Sequence, residues 1–248
     1  MDKGLTEDLI KGVSRFAVAL VLGATAVAAQ AAPVAGQGIW ETTLQGRDIN
    51  GNAVALNSAD AVFFYDTVLN ITWLRDWNAN GGMNWASANA WAASLNIGGF
   101  NDWRLPELSG ALNTTFAYTG TDIGYNVNTA NSELAHMFYV TLGNLAYADS
   151  SGNELQPGWG LTNTAYFTNM QSFIYWSGTE YAPDPSNAWY FNTFDGYQGG
   201  AGKVIALYAV AVRPGDVLAA QAVPEPGTLG LLLAALGVGA VVRRRRAR

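Results

Sequence analysis

The chain has no cysteine. That excludes disulfides, thiolate nucleophiles and thiolate metal sites together. It has a single histidine, His136. A Ser-His-Asp triad would have to be built on it, and no serine stands in a nucleophile-elbow sequence. Basic residues are scarce in the middle of the chain. Between positions 32 and 226 there are five, Arg47, Arg75, Arg104, Lys203 and Arg213, against sixteen acidic residues, a formal charge of −11. The whole-chain value of −6 conceals this, because arginines crowd the C-terminus. So acidic a segment excludes nucleic acid as a partner and disfavours anionic polysaccharide. Long apolar runs are missing too, since none reaches the ~20 residues that usually span a bilayer.

Two shorter runs flank the chain. The first, 16–29, follows Lys11 and Arg15 and ends at Ala29-Gln30-Ala31, a small-x-small cleavage pattern. Residues 1–31 are therefore expected to be a secretory signal peptide. Asp2, Glu7 and Asp8 give it an unusual N-terminal region, consistent with a start later than Met1. The second run, 227–242, holds 16 residues without a charge. Pro224, Glu225 and Pro226 precede it, and Arg243, Arg244, Arg245 and Arg246 close it. A polar turn, an apolar helix and an arginine cluster predict a membrane anchor at 227–242, with 243–248 cytoplasmic. Together these residues resemble the PEP-CTERM sorting signal of Gram-negative bacteria. That resemblance implies export through the inner membrane, processing by an exosortase (a membrane-embedded cysteine enzyme), and a destination in the envelope, on the surface or in the extracellular matrix.

What lies between is one domain. All nine tryptophans fall between Trp40 and Trp189, and nearly 200 residues bury a sizeable core without disulfides. Apolar and β-branched residues predict strands at 61–66 and 71–74, joined by a turn at 67–70. The spacing of Ala88, Trp91, Ala92 and Leu95 predicts a helix over 84–95, capped by Asn84 and stopped by Gly98-Gly99. A short helix is expected at 106–112, with Pro106 in its first turn. Another is expected at 132–142, capped by Ser132 and ended by Gly143. Strands are expected at 173–179, 188–194 and 204–213, with a turn at Asp195-Gly196. Helices early and strands late give an α+β class. The organisation is then an extension at 32–59, a domain at 60–215 and a linker at 216–226.

Three patterns within that domain occur in a telling order. They are Trp85-x-x-Ala88 with Trp91, Ala92 and Leu95; Asp102-Trp103-Arg104-Leu105-Pro106-Glu107-Leu108; and Tyr175-Trp176-Ser177-Gly178-Thr179-Glu180, followed by Ala188-Trp189 and Ala211-Val212-Arg213. In this order they resemble the Lcl C-terminal domain family, named after a bacterial collagen-like adhesin. A looser similarity reaches formylglycine-generating-enzyme and C-type-lectin-like folds. It implies two helices, a twisted antiparallel sheet and long irregular loops. The cysteine chemistry of the formylglycine enzymes is excluded here, and Ser177-Gly178 replaces the serine pair common in the family. The stretches 114–129 and 149–169 look like loops inserted into the common frame, where ligand binding would vary.

The residue chemistry favours binding over catalysis. Arg104 is expected to pair with Asp102 or Glu107 and pin its loop, and Arg213 to pack at the end of the last strand. Trp103, Leu105, Pro106, Trp176 and Ser177 complete this structural motif. His136, off the apolar face of its helix, is expected in solvent. Asp102, Glu107, Glu180 and Asp184 are the carboxylates from which a glycoside hydrolase would draw its pair. Asn78-Ala79-Asn80 and Asp184-Pro185-Ser186-Asn187 offer hard oxygens for calcium, without EF-hand spacing. Trp85 and Trp91 belong to a helix face that buries them. Trp159 and Tyr166, in a Gly/Asn-rich loop, and Tyr181 and Tyr197, at strand ends, are better placed to stack on sugar rings. The sequence thus points to a non-catalytic adhesion or binding domain for neutral glycan or another surface protein. A matrix-modifying hydrolase and a passive matrix component are the rivals.

Overall fold

A computed structural model describes residues 31–218. The bulk of the expected signal peptide, the apolar run 227–242 and the sorting residues Pro224, Glu225, Pro226 and Arg243 to Arg246 lie outside the described residues. Among the described residues, no helix is long and apolar enough to cross a membrane.

Among the described residues, ten short strands form two five-stranded sheets. The first joins β1 (Leu44–Arg47), β2 (Ala53–Val54), β3 (Phe63–Asp66), β4 (Ile71–Leu74) and β10 (Val212–Pro214) in the order β10-β4-β3-β1-β2. All its pairs are antiparallel. The second joins β5 (Phe116–Ala117), β6 (Ile123–Gly124), β7 (Ile174–Glu180), β8 (Asn187–Asn192) and β9 (Gln198–Gly202) in the order β5-β6-β9-β8-β7. Only β5 and β6 run parallel in it. The architecture is therefore mostly antiparallel sheet with few helices, compatible with a compact α+β domain.

Consecutive apolar residues in β3 and β4 mean that both faces of the first sheet are covered. Phe64 and Trp73 face one another across the register and enter one apolar cluster; Phe63 and Leu74 do the same on the opposite face. The second sheet repeats this, with Tyr175 and Phe191 on the first cluster and Trp176 on the second. Each large buried side chain contributes about 1.5–3 kcal/mol. Trp73 and Trp77 stack at 5.4 Å with planes 9° apart.

Helix α2 (Trp85–Ser94) starts where Asn84 accepts a hydrogen bond from the Ser87 amide. It ends at Leu95, ahead of Gly98-Gly99, and buries Ala88 and Ala92 in the second cluster. Trp85 and Trp91 are only half buried, because these alanines occupy the closest contact. Helix α3 (Glu133–His136) is capped by Ser132 and runs into a π-helical turn, Met137–Thr141. Gly143, at φ +66°, ends it where the chain at Gly38 passes so close that a Cβ would strike backbone.

Two expectations are corrected, and the bounds of the fold are filled in. Residues 106–112 are irregular rather than helical, because their backbone is committed to distant partners: Pro106 O accepts from the Gly178 amide, the Leu108 amide donates to Thr179, and the Ser109 amide donates to Asn131 O. Only the end of 204–213 is strand, since Lys203–Ala206 forms a solvent-facing turn and Val204 is 89 % exposed. The glycine-rich β9 takes its place in the second sheet. The 32–59 segment supplies α1 (Trp40–Thr43), β1 and β2, which join the expected strands at 61–66 and 71–74 in the first half. Asp216 and Val217, expected in a linker, are held in the fold.

Two polar devices close the structure. Asn144 and Asn163 form a buried reciprocal pair. Asn144 Oδ1 accepts from the Thr162 and Asn163 amides and its Nδ2 donates to Asn163 O; Asn163 Nδ2 donates to Leu142 O and Gln37 O. Chain exit is fixed by Arg47, whose Nε and Nη2 donate to the two Asp216 oxygens at 2.9 and 2.6 Å.

Candidate functional site

Eight aromatic rings form one connected belt along one end of the second sheet, with neighbouring centroids 5.1–6.4 Å apart. From Tyr190 the contacts run through Tyr197 to Phe116, Tyr118 and Tyr125, then through Tyr147 to Trp159 and Phe194. Phe116 and Phe194 are each 50 % exposed, and the other six are half buried. Leu145 and Leu155 are exposed on the same loop that carries Trp159. Contiguous exposed apolar surface is the feature by which candidate interaction sites are recognised.

The belt is assembled from three segments, 116–126, 145–160 and the β8–β9 turn at 193–197. Backbone hydrogen bonds tie them together: the Tyr147 amide donates to Asp195 O, and the Gln156 amide to Tyr147 O. Asn126, in the left-handed region at φ +45°, reaches with Nδ2 to Tyr118 O and Ala148 O. Tyr139 is the post beneath, accepting from the Asn126 amide and donating to Gly196 O. Burial raises its pKa, so it remains a donor at every physiological pH. Glycine at 199 is required by the rings above it. A Cβ there would lie 2.7 Å from the Tyr197 ring and 3.3 Å from the Tyr190 hydroxyl.

Charge at the belt is of one sign. Asp195 sits in the turn under Tyr197, and burial raises its pKa. Glu154 accepts from the Tyr147 hydroxyl at 3.2 Å. Desolvation, then the charges of Asp195 and Glu154 among its neighbours, pushes Tyr125 up to about 12. Tyr190 is likewise pushed up to about 12, by burial first and then by Tyr197 and Asp195. The hydroxyls of Tyr125 and Tyr190 are therefore hydrogen-bond donors throughout the neutral range.

Two of the four aromatics expected to stack on sugar, Trp159 and Tyr197, lie in this belt. Tyr181 does not: it covers Gly200 and meets Trp189 edge-on at 5.1 Å, beside a cleft of about 480 Å³ lined by Leu112, Pro183 and Trp189. Tyr166 lies apart, against Trp40. The other six rings, Phe116, Tyr118, Tyr125, Tyr147, Tyr190 and Phe194, do not stand out in the sequence. Their signal there is the recurrence of tyrosine in 114–129 and beside Gly199-Gly200.

The motif residues meet elsewhere. Arg104 pairs with Glu133, donating to both carboxylate oxygens at 2.8 and 2.7 Å. Asp102 and Glu107 were the expected partners; Glu107 stands farther off, at 3.9 Å, because Glu133 fills the fork. Burial alone would lower the Arg104 pKa, and Glu133 reverses that. Trp103 donates to Phe100 O and packs on Phe63, Leu105 is buried, Trp176 donates to Met83 O, and Ser177 Oγ accepts from the Thr179 amide. Arg213 donates to Asn101 O and lies over Phe100.

His136 is corrected: it is half buried with Nε2 enclosed, and desolvation lowers its pKa against the opposing charge of Asp66. Two of the four candidate hydrolase carboxylates are engaged in ion pairs or turns. Glu180 pairs with Lys203, and Asp184 braces its own turn through Ser186 and Asn187. That turn is the second calcium candidate, with its carboxylate already used; at the first, the Asn78 amide donates to Asp76 and Asn80 Nδ2 lies on the Met83 sulfur. Among the described residues, no group of three or more His, Asp or Glu side chains is arranged to hold a metal ion.

Comparison with known proteins gives two matches. Residues 63–213 match the Lcl C-terminal domain, and residues 222–246 match the PEP-CTERM protein-sorting motif. No curated protein matches the chain. The sorting motif implies an exported, envelope-sorted protein processed by an exosortase.

Proposed function

This chain belongs to the Lcl C-terminal domain family, and on that premise we propose that it is a non-catalytic binding protein of the cell surface or extracellular matrix, whose aromatic belt takes glycan. The signal peptide at 1–31 directs export. Pro224, Glu225 and Pro226 address the exosortase, while 227–242 and the arginines that follow hold the chain in the membrane until it is processed. The domain itself is read as lectin-like: a rigid frame of sheets that presents variable loops.

The observation that carries the reading is the belt. Sugar rings present apolar C–H faces that stack on aromatic side chains, and the hydroxyls of Tyr125 and Tyr197 supply donors for sugar hydroxyls around them. The embedding of Arg104, Glu180 and Asp184 in pairs and turns supports binding over hydrolysis. Affinity electrophoresis through gels containing soluble polysaccharides tests it. Trp159→Ala is expected to lose retardation while keeping its far-ultraviolet circular dichroism. Equal retardation of Trp159→Ala and wild type would remove the belt from the account.

A further inference from the structure

Resting on that glycan reading, we infer that the belt selects an amine-bearing glycan, a polymer of hexosamine whose amino groups are free and protonated. Three observations carry this. The exposed ring faces are electronegative, and they attract an ammonium group lying over them. Glu154 and Asp195 add two carboxylates beside the belt, Glu154 accepting from the Tyr147 hydroxyl and Asp195 from the Tyr197 backbone amide. No cation offsets them, because each of the five basic residues among those described is engaged away from the belt. Arg47 binds Asp216, Arg104 binds Glu133 and Lys203 binds Glu180. Arg75 donates to Ser58, Ala61 and Tyr166 carbonyls, and Arg213 to Asn101 O.

The consequences differ by ligand. A sulfated or uronic polymer brings negative charge to a negative surface. A neutral polymer gains the stacking alone. A free amino-sugar polymer gains stacking, cation–π attraction and ion pairing from one geometry, repeated along the belt as along the polymer. Acetylating the amine removes the charge and keeps the ring, so the acetylated polymer isolates the electrostatic part.

The test titrates the full-length chain, in a polyoxyethylene detergent that contains no sugar, with glucosamine oligomers, N-acetylglucosamine oligomers and a sulfated oligosaccharide of equal length. The free-amine oligomer is expected to bind about tenfold more tightly than the acetylated one. The gap should shrink as salt rises to about 0.5 M, as screening requires. The double variant Glu154→Gln, Asp195→Asn keeps the acceptors for Tyr147 and the Tyr197 amide, so it should fold normally and close most of the gap. Trp159→Ala should weaken both oligomers. Equal binding of the amine and acetylated forms would overturn this inference and leave the glycan reading standing. Tightest binding of the sulfated oligomer would overturn it as well, and binding of none of the three would overturn both.

Discussion

Asp216→Ala should destabilise the domain by about 3 kcal/mol. Arg47 is 3 % exposed, and Asp216 provides acceptors for two of its four hydrogen bonds, the others being Gly46 O and the Gln45 side chain. Bonds to a charged group are worth about 1.5 kcal/mol each at the low end. Removing one partner of a buried pair costs roughly 3–5 kcal/mol, because the other charge is left without compensation. Asp216 is partly solvent-facing, which selects the lower figure. For a domain of this size the loss corresponds to a fall in Tm of about 6–12 °C. Urea unfolding followed by tryptophan fluorescence measures it. The double variant Arg47→Met, Asp216→Ala removes the stranded charge and should recover more than half of the loss. A single-variant loss below about 1 kcal/mol, or a double variant no better than the single, would refute the reasoning.

Asn163→Ala strips partners from Leu142 O, Gln37 O and the Ala165 amide; at about 1–3 kcal/mol per stranded buried group it should lower stability by at least about 3 kcal/mol in the same assay. Burial raises the pKa of Asp66 against the opposing hydrogen bonds of the Leu69 and Val68 amides. A carboxyl whose folded pKa is raised favours the fold below its unfolded pKa and loses that contribution as pH rises through the folded value. Asp66→Asn should therefore raise Tm at pH 7, with the gain fading as pH falls through the carboxylate range; a loss at pH 7 would contradict this. Glu225→Ala, and deletion of 243–248, should each accumulate unprocessed chain on immunoblots of membrane fractions. Normal processing of both would make the tail a simple anchor.

Local structure was legible where local rules decide it. Strand β4 falls on its expected residues, and Asn84 and Ser132 cap the expected helices, because propensity and capping act within a few residues. The 106–112 stretch misled because Pro106 suits a helix start equally well, while the deciding bonds come from residues some 70 positions away. Strand β9 was invisible because Gln198-Gly199-Gly200-Ala201-Gly202 has no strand propensity. Its glycines are fixed by rings from Tyr181, Tyr190 and Tyr197, which only the fold brings there. Arg104 was correctly seen as an arginine needing a carboxylate, and its partner Glu133 lies on another element. The belt follows the same logic. Single tyrosines at 118, 125, 147 and 197 say little in a sequence, and their meaning lies in being packed ring against ring.

The central claim is that glycan meets the belt, and indole resonances test it most directly. Trp159 is the belt's tryptophan, whereas Trp73, Trp77 and Trp176 are fully buried and serve as internal references. Titration of ¹⁵N-labelled full-length chain with glucosamine and N-acetylglucosamine oligomers should move the Trp159 indole signal and leave those three in place. Shifts at Trp85 or Trp91 with Trp159 unmoved would put binding on helix α2 and contradict the account.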